Sequence, residues 1–450
     1  MKLRNLLFGT MIACAFVACS NDDDPTPDNG NGGNEPVGTS LEVFTKSPVA
    51  SKADPSNADA INSLTLVVFD ASDKIEAIET SVTGNANPNS RLVGLTPGEK
   101  SVMMIANYTL PTSGDNAVKV GDAYAKLAAL TNSRTSEDAT AGFSMSSKLY
   151  TDVTVETNKR TFLGYNAFPE GYSNENAILE TEDNTGVKLY RNVAKVVLSS
   201  VTITNERGDF MNMSNPNLEI KEVFILNAKA TTNLVASADD KAKHWAATQS
   251  ATTDLLGGVD KGSWDNSDKF MLGASWTTNA IFKSTVTPAT IGYSGEGLSK
   301  TTEAYAAVPF YVYENGSSTV ATSEAKTLLV IKADVTYDGP EGRLTASDRY
   351  YTLAIGRTGF DTGETTGFTV AAASAADFPF ASRVADPSST GINGASANKA
   401  FDVLRNLQYK IALTVKGLGY DQPGGGDPEQ YLDVKVQVVG FGDVDQSVEI

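Results

Sequence analysis

Cysteine and histidine, which most often act as nucleophiles, bases and metal ligands, are almost missing from this 450-residue chain. It has two cysteines, Cys14 and Cys19, and one histidine, His244. A site with two histidine ligands is excluded, and a Ser-His-Asp triad would have to use His244. His244 lies beside Trp245, and we interpret it as a surface or half-packed residue. The sequence predicts no catalytic residue, no metal site and no cofactor, and therefore a protein that is not an enzyme.

Cys19 stands where a lipid-modified cysteine is expected. Two basic residues in the first four positions precede a mostly apolar segment, which has the length of a secretory signal and is too short to cross a bilayer. Ala18 directly precedes Cys19, and the segment resembles the bacterial lipoprotein signal, in which this cysteine is acylated. Residues 20–24, Ser-Asn-Asp-Asp-Asp, resemble the acidic tag of lipoproteins displayed on the outer membrane. Cys14 is the poorer candidate, because an apolar stub would remain after it. Secretion with an unmodified Cys19 is the alternative.

Charge and length set further bounds. The formal net charge is −18, and the acidic residues are scattered along the chain, which is typical of a solvated surface. Such a chain repels nucleic acid and anionic membrane surfaces, so neither is expected as a direct partner. The length suffices for two domains.

The elements that follow the signal are predicted to be mainly β-strands. Residues 20–38 are rich in Asp, Asn, Pro and Gly and read as a tether. One helix is predicted at 121–130, with Asp122 as its N-cap, and 357–400 reads as loops. The pattern indicates an all-β fold of two β-sandwich (transthyretin-like) domains with few short helices. The strongest strand predictions are 61–70, 101–110, 191–203, 218–228, 327–337 and 349–356.

Two segments near the ends need a function. A short strand, 41–45, is followed by an open polar segment in which Lys52-Ala53 is the kind of exposed bond that proteases cut. Lys46 is the less favoured candidate, because Pro48, two residues after it, makes the bond awkward for a protease. At the other end, residues 431–450 alternate apolar and polar side chains beyond a Gly-Pro linker. Such a strand can pair with its own sheet or with another molecule, and the alternation alone does not decide between them.

Several motifs make the chain resemble a fimbrillin, a type V pilus subunit of Gram-negative oral and gut anaerobes. The lipoprotein signal and acidic tether match the family. "RNVAKVVLSSVTI" (191–203) resembles the strand that opens its C-terminal domain, and "YVYEN" (311–315) also recurs there. The most specific match is "VLRNLQYKIALTVKGLG" (403–419), with Arg405, Asn406 and Tyr409 in the family's places. Phe441 stands where Trp is common in the family.

The resemblance implies a shaft subunit that polymerises by donor-strand exchange and serves adhesion and colonisation. A trypsin-like protease cuts at Lys52-Ala53, the first strand leaves, and another subunit's C-terminal strands fill the groove. Partners are other copies, other pilus subunits, the protease and a host or bacterial surface receptor, at the outer membrane and cell surface. The expected donor residues are Leu432, Val434, Val436, Val438 and Val448. The expected segments are 1–18 (signal peptide), 19–52 (lipidated propeptide with tether and removable first strand), 53–185 (N-terminal sandwich), 186–430 (C-terminal sandwich and linker) and 431–450 (donor strands).

Other interpretations stay open. An anchor subunit would keep its lipid, and a tip subunit would accept a strand without donating one. A surface lipoprotein that binds glycans is the alternative outside the pilus, with Trp245, Trp264 or Trp276 stacking on sugar rings. Arg207-Gly208-Asp209 matches an integrin-binding tripeptide, although three residues recur by chance and Gly-Asp is common in turns.

Overall fold

The computed structural model describes most of the chain between Thr39 and Gly440 and assigns it an all-β fold with short helices, which confirms the predicted class. Residues 37–450 form one compact unit. The described residues are 39–43, 45–46, 61–82, 90–133, 137, 142–180, 187–204, 209–226, 228–238, 241, 255–256, 283–284, 289–294, 298–299, 309–315, 327–355, 368–370, 403, 405–421 and 432–440.

The first half of the described chain carries one α-helix among short strands. These elements are β1 (Ser40–Val43), β2 (Thr45–Lys46), β3 (Ser63–Phe69), β4 (Ile75–Val82), β5 (Ser90–Val93), β6 (Gly98–Ala106), α1 (Tyr124–Ala128), β7 (Thr131–Ser133), β8 (Met145–Ser146), β9 (Tyr150–Val155), β10 (Arg160–Leu163), β11 (Ala177–Glu180), β12 (Val187–Lys188) and β13 (Tyr190–Arg191).

Two sheets of this half enclose an apolar layer. One sheet has the order β11-β10-β1-β5, and the other has the order β13-β8-β6-β3-β4, with β9 paired to β6. Leu64, Leu66 and Val68 of β3 point into the layer between the sheets, while Val67 and Phe69 join a second cluster with Tyr124 and Leu127 of α1. Because both faces of β3 are covered, its second half, residues 66–69, is a continuous apolar run.

Helix α1 is shorter than the predicted span 121–130. It begins at Tyr124, and Ala123 precedes it without a side-chain cap. Asp122 is therefore not the N-cap; its Oδ2 instead accepts a hydrogen bond of 2.8 Å from the backbone N–H of Lys119. The carboxylate closes the turn before the helix, a local bond that competes with capping.

The second half consists of longer strands. They are β14 (Val193–Ile203), β15 (Ser214–Leu226), β16 (Ala228–Lys229), β17 (Thr231–Asn233), β18 (Leu255–Leu256), β19 (Lys283–Ser284), β20 (Ala289–Ser294), β21 (Leu298–Ser299), β22 (Phe310–Tyr313), β23 (Leu328–Gly339), β24 (Gly342–Ala354), β25 (Phe368–Val370), β26 (Leu407–Val415) and β27 (Leu432–Gly440), with a 3₁₀ turn at Asp209–Asn212.

These strands also form two sheets around an apolar layer. Their orders are β22-β14-β26-β27-β25 and β21-β20-β15-β23-β24, with β19 paired to β15. The buried side chains of β14 and β26 pack in one cluster with those of β15 and β23. Alternate residues of β26, such as Ile411 and Leu413, lie in that cluster, as the period of two requires.

Several strands differ in extent from the sequence prediction. The strand predicted at 101–110 runs from Gly98 to Ala106, and the one predicted at 349–356 begins at Gly342. The stretch 357–400 is not all loop, because Phe368–Val370 form β25. The first residues of β24, 342–348, are mostly polar and exposed. The apolar pattern that predicts a strand therefore begins only after them.

The change from one set of sheets to the other falls after β13. β12 pairs with β2 and β13 with β8, whereas the next strand, β14, lies between β22 and β26. Later residues also return to the first set, because β17 pairs with β7 and Leu234 packs in the cluster of α1. The two halves are thus joined by more than the chain connection.

Candidate functional site

Strand β1 lies in the interior of its sheet, between β10 and β5. It runs parallel to β10, with Leu41 opposite Thr161, and antiparallel to β5, with Leu41 opposite Leu92. The backbone N–H of Gly94 donates to Thr39 at 2.9 Å. Both edges of this four-residue strand are therefore occupied by backbone pairing.

The inner face of β1 belongs to the apolar layer between the two sheets. Leu41 and Val43 are each 0% exposed and pack in one cluster with residues such as Leu66, Met104 and Leu163. Burying these two side chains contributes roughly 3 to 6 kcal/mol. β1 is thus a full member of the core.

The outer face of β1 carries a charged group. Glu42 Oε1 accepts a hydrogen bond of 2.6 Å from the Tyr165 hydroxyl, and its Oε2 lies 3.7 Å from Nη1 of Arg160. Burial, and then the bond to this carboxylate, raise the pKa of Tyr165 well above its ordinary value. Tyr165 and Tyr172 pack edge-on against Phe162, with ring centroids 5.1 and 4.8 Å away. Glu42, in the middle of β1, therefore has a hydrogen-bond donor and a cation beside its carboxylate.

Loss of β1 would leave a groove of defined chemistry. β10 and β5 would each expose an unpaired backbone edge, and the cluster around Leu66 would be uncovered along the length of the missing strand. Edges of this kind are satisfied by another extended chain. The arrangement can therefore bind a short strand with apolar side chains on one face and an acid on the other.

Of the expected processing residues, the structure describes Lys46 alone. Lys46 is in β2, where its backbone pairs with Lys188, so it is held in a sheet. Cys19, Lys52 and Ala53 lie outside the described residues. A bond within a paired strand is a poorer protease site than one in an exposed polar loop.

The C-terminal segment is paired within the chain. β27, which contains Leu432, Val434, Val436 and Val438, runs antiparallel to β26, from Val415–Leu432 to Leu407–Gly440. β25 pairs with its other edge. A tail free of its own sheet is therefore not found for 432–440; this stretch adopts the alternative, own-sheet pairing. An alternating strand fits any complementary edge, and β26 offers one nearby. Val448 lies outside the described residues.

The motif residues Arg405 and Asn406 lie at the junction of the two halves. Arg405 is 0% exposed and donates to Asn192 Oδ1 at 2.7 Å and to the carbonyl of Asn233 at 2.8 Å. Asn406 has a φ of 58° and accepts a bond of 3.3 Å from the backbone N–H of Arg191. Tyr409, 2% exposed, belongs to the apolar cluster of the second half. All three residues therefore have structural roles, Arg405 and Asn406 at the junction of the two halves and Tyr409 in the core of the second half.

A second buried group at the same junction was not identified from sequence. Glu137 is 5% exposed and accepts hydrogen bonds from the backbone N–H of Ser144 at 2.9 Å and from the Tyr313 hydroxyl at 3.0 Å. Arg160 and Tyr165 were missed as well. For Arg160 and Tyr165 the sequence offers one signal, which is Glu42 between the apolar residues Leu41 and Val43 of β1. This pattern indicates that Glu42 points away from the core, but it does not reveal which residues contact it.

Other candidates can be placed only in part. Arg207, Gly208, His244 and the three tryptophans lie outside the described residues, while Asp209 begins the 3₁₀ turn. Within the described ranges, no group of three or more His, Cys, Asp or Glu side chains could hold a metal ion. Nor does that part of the chain contain a helix with the length and apolarity needed to span a membrane.

Part of the sequence matches the model of a known family. Residues 40–196 match the model of the family described as major fimbrial subunit protein (FimA). This range begins at β1 and ends within β14. The resemblance to fimbrillins inferred from the motifs is thereby confirmed. A search of the curated proteins finds no match.

Solved structures share the fold of nearly the whole chain. A candidate cell adhesion protein from Parabacteroides distasonis is 21% identical, with a TM-score of 0.58 over 90% of this chain and 99% of that one. A fimbrilin (fimA) from Porphyromonas gingivalis is 17% identical, with a TM-score of 0.50 over 91% of this chain and 100% of that one. At these identities the likeness concerns the fold.

Proposed function

We propose that this protein is a structural subunit of a fimbria, the shaft subunit of a type V pilus, and is not an enzyme. The observation that carries the proposal is the placement of β1: a short strand at the start of the fold, with three of its four residues buried, between two strands that would both be left open without it. The match of residues 40–196 to a fimbrial subunit family supports the same role.

Maturation prepares the subunit for assembly. The precursor is exported, acylated at Cys19 and displayed on the outer membrane, and a trypsin-like protease then cuts at Lys52-Ala53. Lipid, tether and β1 leave, and the groove between β10 and β5 opens. The position of Lys46 within β2 favours the bond at Lys52 as the site of the cut.

The strand that fills the groove comes from another subunit. We assign it to residues 431–450, whose apolar positions are Leu432, Val434, Val436, Val438 and Val448. If β27 also left its own sheet, burial of all five side chains would stabilise the contact by roughly 7 to 15 kcal/mol before ordering costs. In the single chain 432–440 pair with β26, so β27 must either leave that edge or present the residues that follow it. The contact is head-to-tail and therefore grows a filament.

The subunit has two sandwich domains in this proposal. The sequence places them at 53–185 and 186–430, and the pairing of β12 and β13 favours a junction near Asn192. Partners are further copies, other subunits of the same pilus and the maturation protease. Adhesion and colonisation through a surface receptor follow from a fimbrial location.

The N-terminus of the surface-assembled protein tests the proposal. Mass spectrometry of filaments that resist SDS should find Ala53 as the first residue, and a chain with Cys19→Ala should fail to reach the surface. Deletion of 431–450 should abolish the ladder of SDS-resistant oligomers. An acylated Cys19 in the assembled protein would instead indicate an anchor, and a wild-type chain that forms no ladder would overturn the shaft assignment.

A further inference from the structure

The residues of β1 recur at the far end of the sequence. β1 reads Ser40-Leu41-Glu42-Val43, and residues 447–450 read Ser-Val-Glu-Ile. Resting on the strand exchange proposed above, we propose that Ser447–Ile450 of one subunit take the places of Ser40–Val43 in the next, residue for residue and in the same direction. Glu449 then acts as the specificity-determining residue. β27 remains in its own sheet.

The inner face fits this replacement. Leu41 and Val43 are both 0% exposed, so the volume available to their substitutes is fixed. Val448 and Ile450 together carry the same number of side-chain carbon atoms, with one methylene moved from the first position to the second. Swaps that conserve total volume are the best tolerated in a packed core.

The outer face supplies a check on identity. When β1 leaves, Tyr165 loses the carboxylate that accepts its bond at 2.6 Å, and Arg160 loses the charge 3.7 Å from its guanidinium. A strand that offered an apolar or basic residue here would not restore the carboxylate that accepts from the half-buried Tyr165 hydroxyl and lies beside the Arg160 cation. Glu449 restores the same carboxylate at the same position. A chain with a mismatched residue is rejected by this pair.

A competing register exists within the same tail. Residues 431–434, Tyr-Leu-Asp-Val, would also place an acid between two apolar side chains. That register puts Tyr431 at the position of Ser40, which is 0% exposed, and an aromatic ring does not fit there without displacement. It would also strip the start of β27 from β26, where Leu432 lies opposite Val415. Ser447–Ile450 require neither change.

The connection sets a distance limit. Residues 441–446 link Gly440, the end of β27, to Ser447. Seven Cα–Cα steps join Gly440 to Ser447, and an extended chain spans about 25 Å at most over them. In the filament, the end of β27 in one subunit must therefore lie within about 25 Å of the β10–β5 groove of the next.

Paired cysteines test the register in the assembled protein. Ser40 lies opposite Val93, and the Gly94–Thr39 bond makes this a non-hydrogen-bonded pair, whose Cα atoms are about 4.5 Å apart, within disulfide range. Val93 is 62% exposed, so Val93→Cys should fold. Full-length chains carrying Val93→Cys with Ser447→Cys are expressed in a host that processes and assembles them. Cleavage after Lys52 removes both native cysteines.

Mild oxidation should then link neighbouring subunits through this pair, at least tenfold more than in chains with Val93→Cys alone. The combination of Val93→Cys with Tyr431→Cys reports the competing register and should give only background. A second arm compares Glu449→Lys, which should remove the SDS-resistant ladder, with Asp445→Lys, which adds the same charge outside the proposed segment and should keep it.

Normal ladders that cross-link through Tyr431→Cys, or that cross-link through neither pair, would overturn the register while leaving strand exchange intact. Normal ladders from Glu449→Lys would overturn the role of its carboxylate. Absence of ladders from the wild-type chain would overturn the exchange itself, and the register with it.

Discussion

Arg405 and Glu314 form a buried ion pair at the junction of the two halves, with Nε of the arginine 2.9 Å from Oε2 of the glutamate. Their side chains are 0% and 8% exposed. The other guanidinium nitrogens donate to Asn192, Thr232, Asn233 and Leu234, so a single side chain ties together the start of β14, the β17 segment and the loop before β26. A motif that carries the resemblance to fimbrillins thus lies at the junction of the two halves.

Replacement of Arg405 should therefore destabilise the whole subunit. Arg405→Ala removes the cation beside the buried Glu314 carboxylate and the donor to several acceptors, which costs about 3 to 5 kcal/mol. Denaturant unfolding of the full chain measures this. Arg343→Ala is the matched control, because Arg343 and Asp338 pair at 2.7 Å with both side chains 40% exposed, and exposed pairs contribute about 0 to 1 kcal/mol. Equal effects of the two substitutions would contradict the structural role of Arg405.

The core position of β1 gives a second prediction. Leu41→Ala should lower the stability of the uncut precursor by about 2 to 5 kcal/mol, because Leu41 is fully buried. Val93→Ala, on an exposed position of the same sheet, should change it by less than about 0.5 kcal/mol. Filaments assembled from Leu41→Ala chains should melt like wild-type filaments, since β1 is absent from them. A filament that inherits the full defect would show that β1 stays in place.

A third prediction concerns acid. Burial alone would raise the pKa of the Glu76 carboxyl, but hydrogen bonds from Lys100 and Thr96 outweigh it and hold that pKa below its ordinary value of 4.5. The ionised Glu76 carboxyl stabilises the fold at pH values above its ordinary pKa, and this contribution is lost as the pH falls through the lowered pKa.

Glu76→Gln should accordingly cost about 1 to 2 kcal/mol at neutral pH, and the difference from wild type should shrink in strong acid. Urea unfolding of both proteins across this range measures the gap. Glu79→Gln, on an exposed position of the same strand, is the control and should show no such trend. A gap that widens toward low pH would contradict the assignment.

The pairing of β27 with β26 gives a fourth prediction, which separates the two parts of the tail. The double change of Val434 and Val436 to Asp should lower the melting temperature of the monomer by several degrees, because β27 pairs within its own sheet and the alternation of its sequence predicts an apolar environment for both residues. Val448→Asp should leave that temperature unchanged and stop filament growth. Thermal melts and SDS-resistant ladders of the same preparations compare them. The reverse order of effects would make β27 the strand that enters the groove.

The sequence predicts which segments form strands better than it predicts which strands pair with each other. Leu41 and Val43 flank an acid, and this alternation predicts a half-buried strand near the start of the fold. Nothing local reveals that its neighbour is β10, since Glu42 and Tyr165 are 123 positions apart. β10 itself is only four residues long and was not predicted, because so short a segment shows no clear period.

The tail illustrates the same limit. Alternation predicts the strand β27, but it does not decide which edge the strand covers, because pairing depends on which edge lies near and unoccupied. Arg405 was recognised by its motif, whereas its acceptors come from separate segments that only the folded chain brings together. Polar residues at such positions look like surface residues until their burial is known.

Because β1 is paired on both edges, cleavage of the chain and release of β1 would be two separate events. In the maturation proposed above, hydrolysis at Lys52 would sever the chain but leave β1 held by the backbone ladders of β10 and β5, by two fully buried side chains and by the Tyr165 bond to Glu42. Activation would then proceed at the dissociation rate of a bound peptide. A cleaved subunit would stay inactive until that peptide dissociates or an incoming strand displaces it, so the number of cleaved but closed subunits, and not protease activity alone, would set the rate of filament growth.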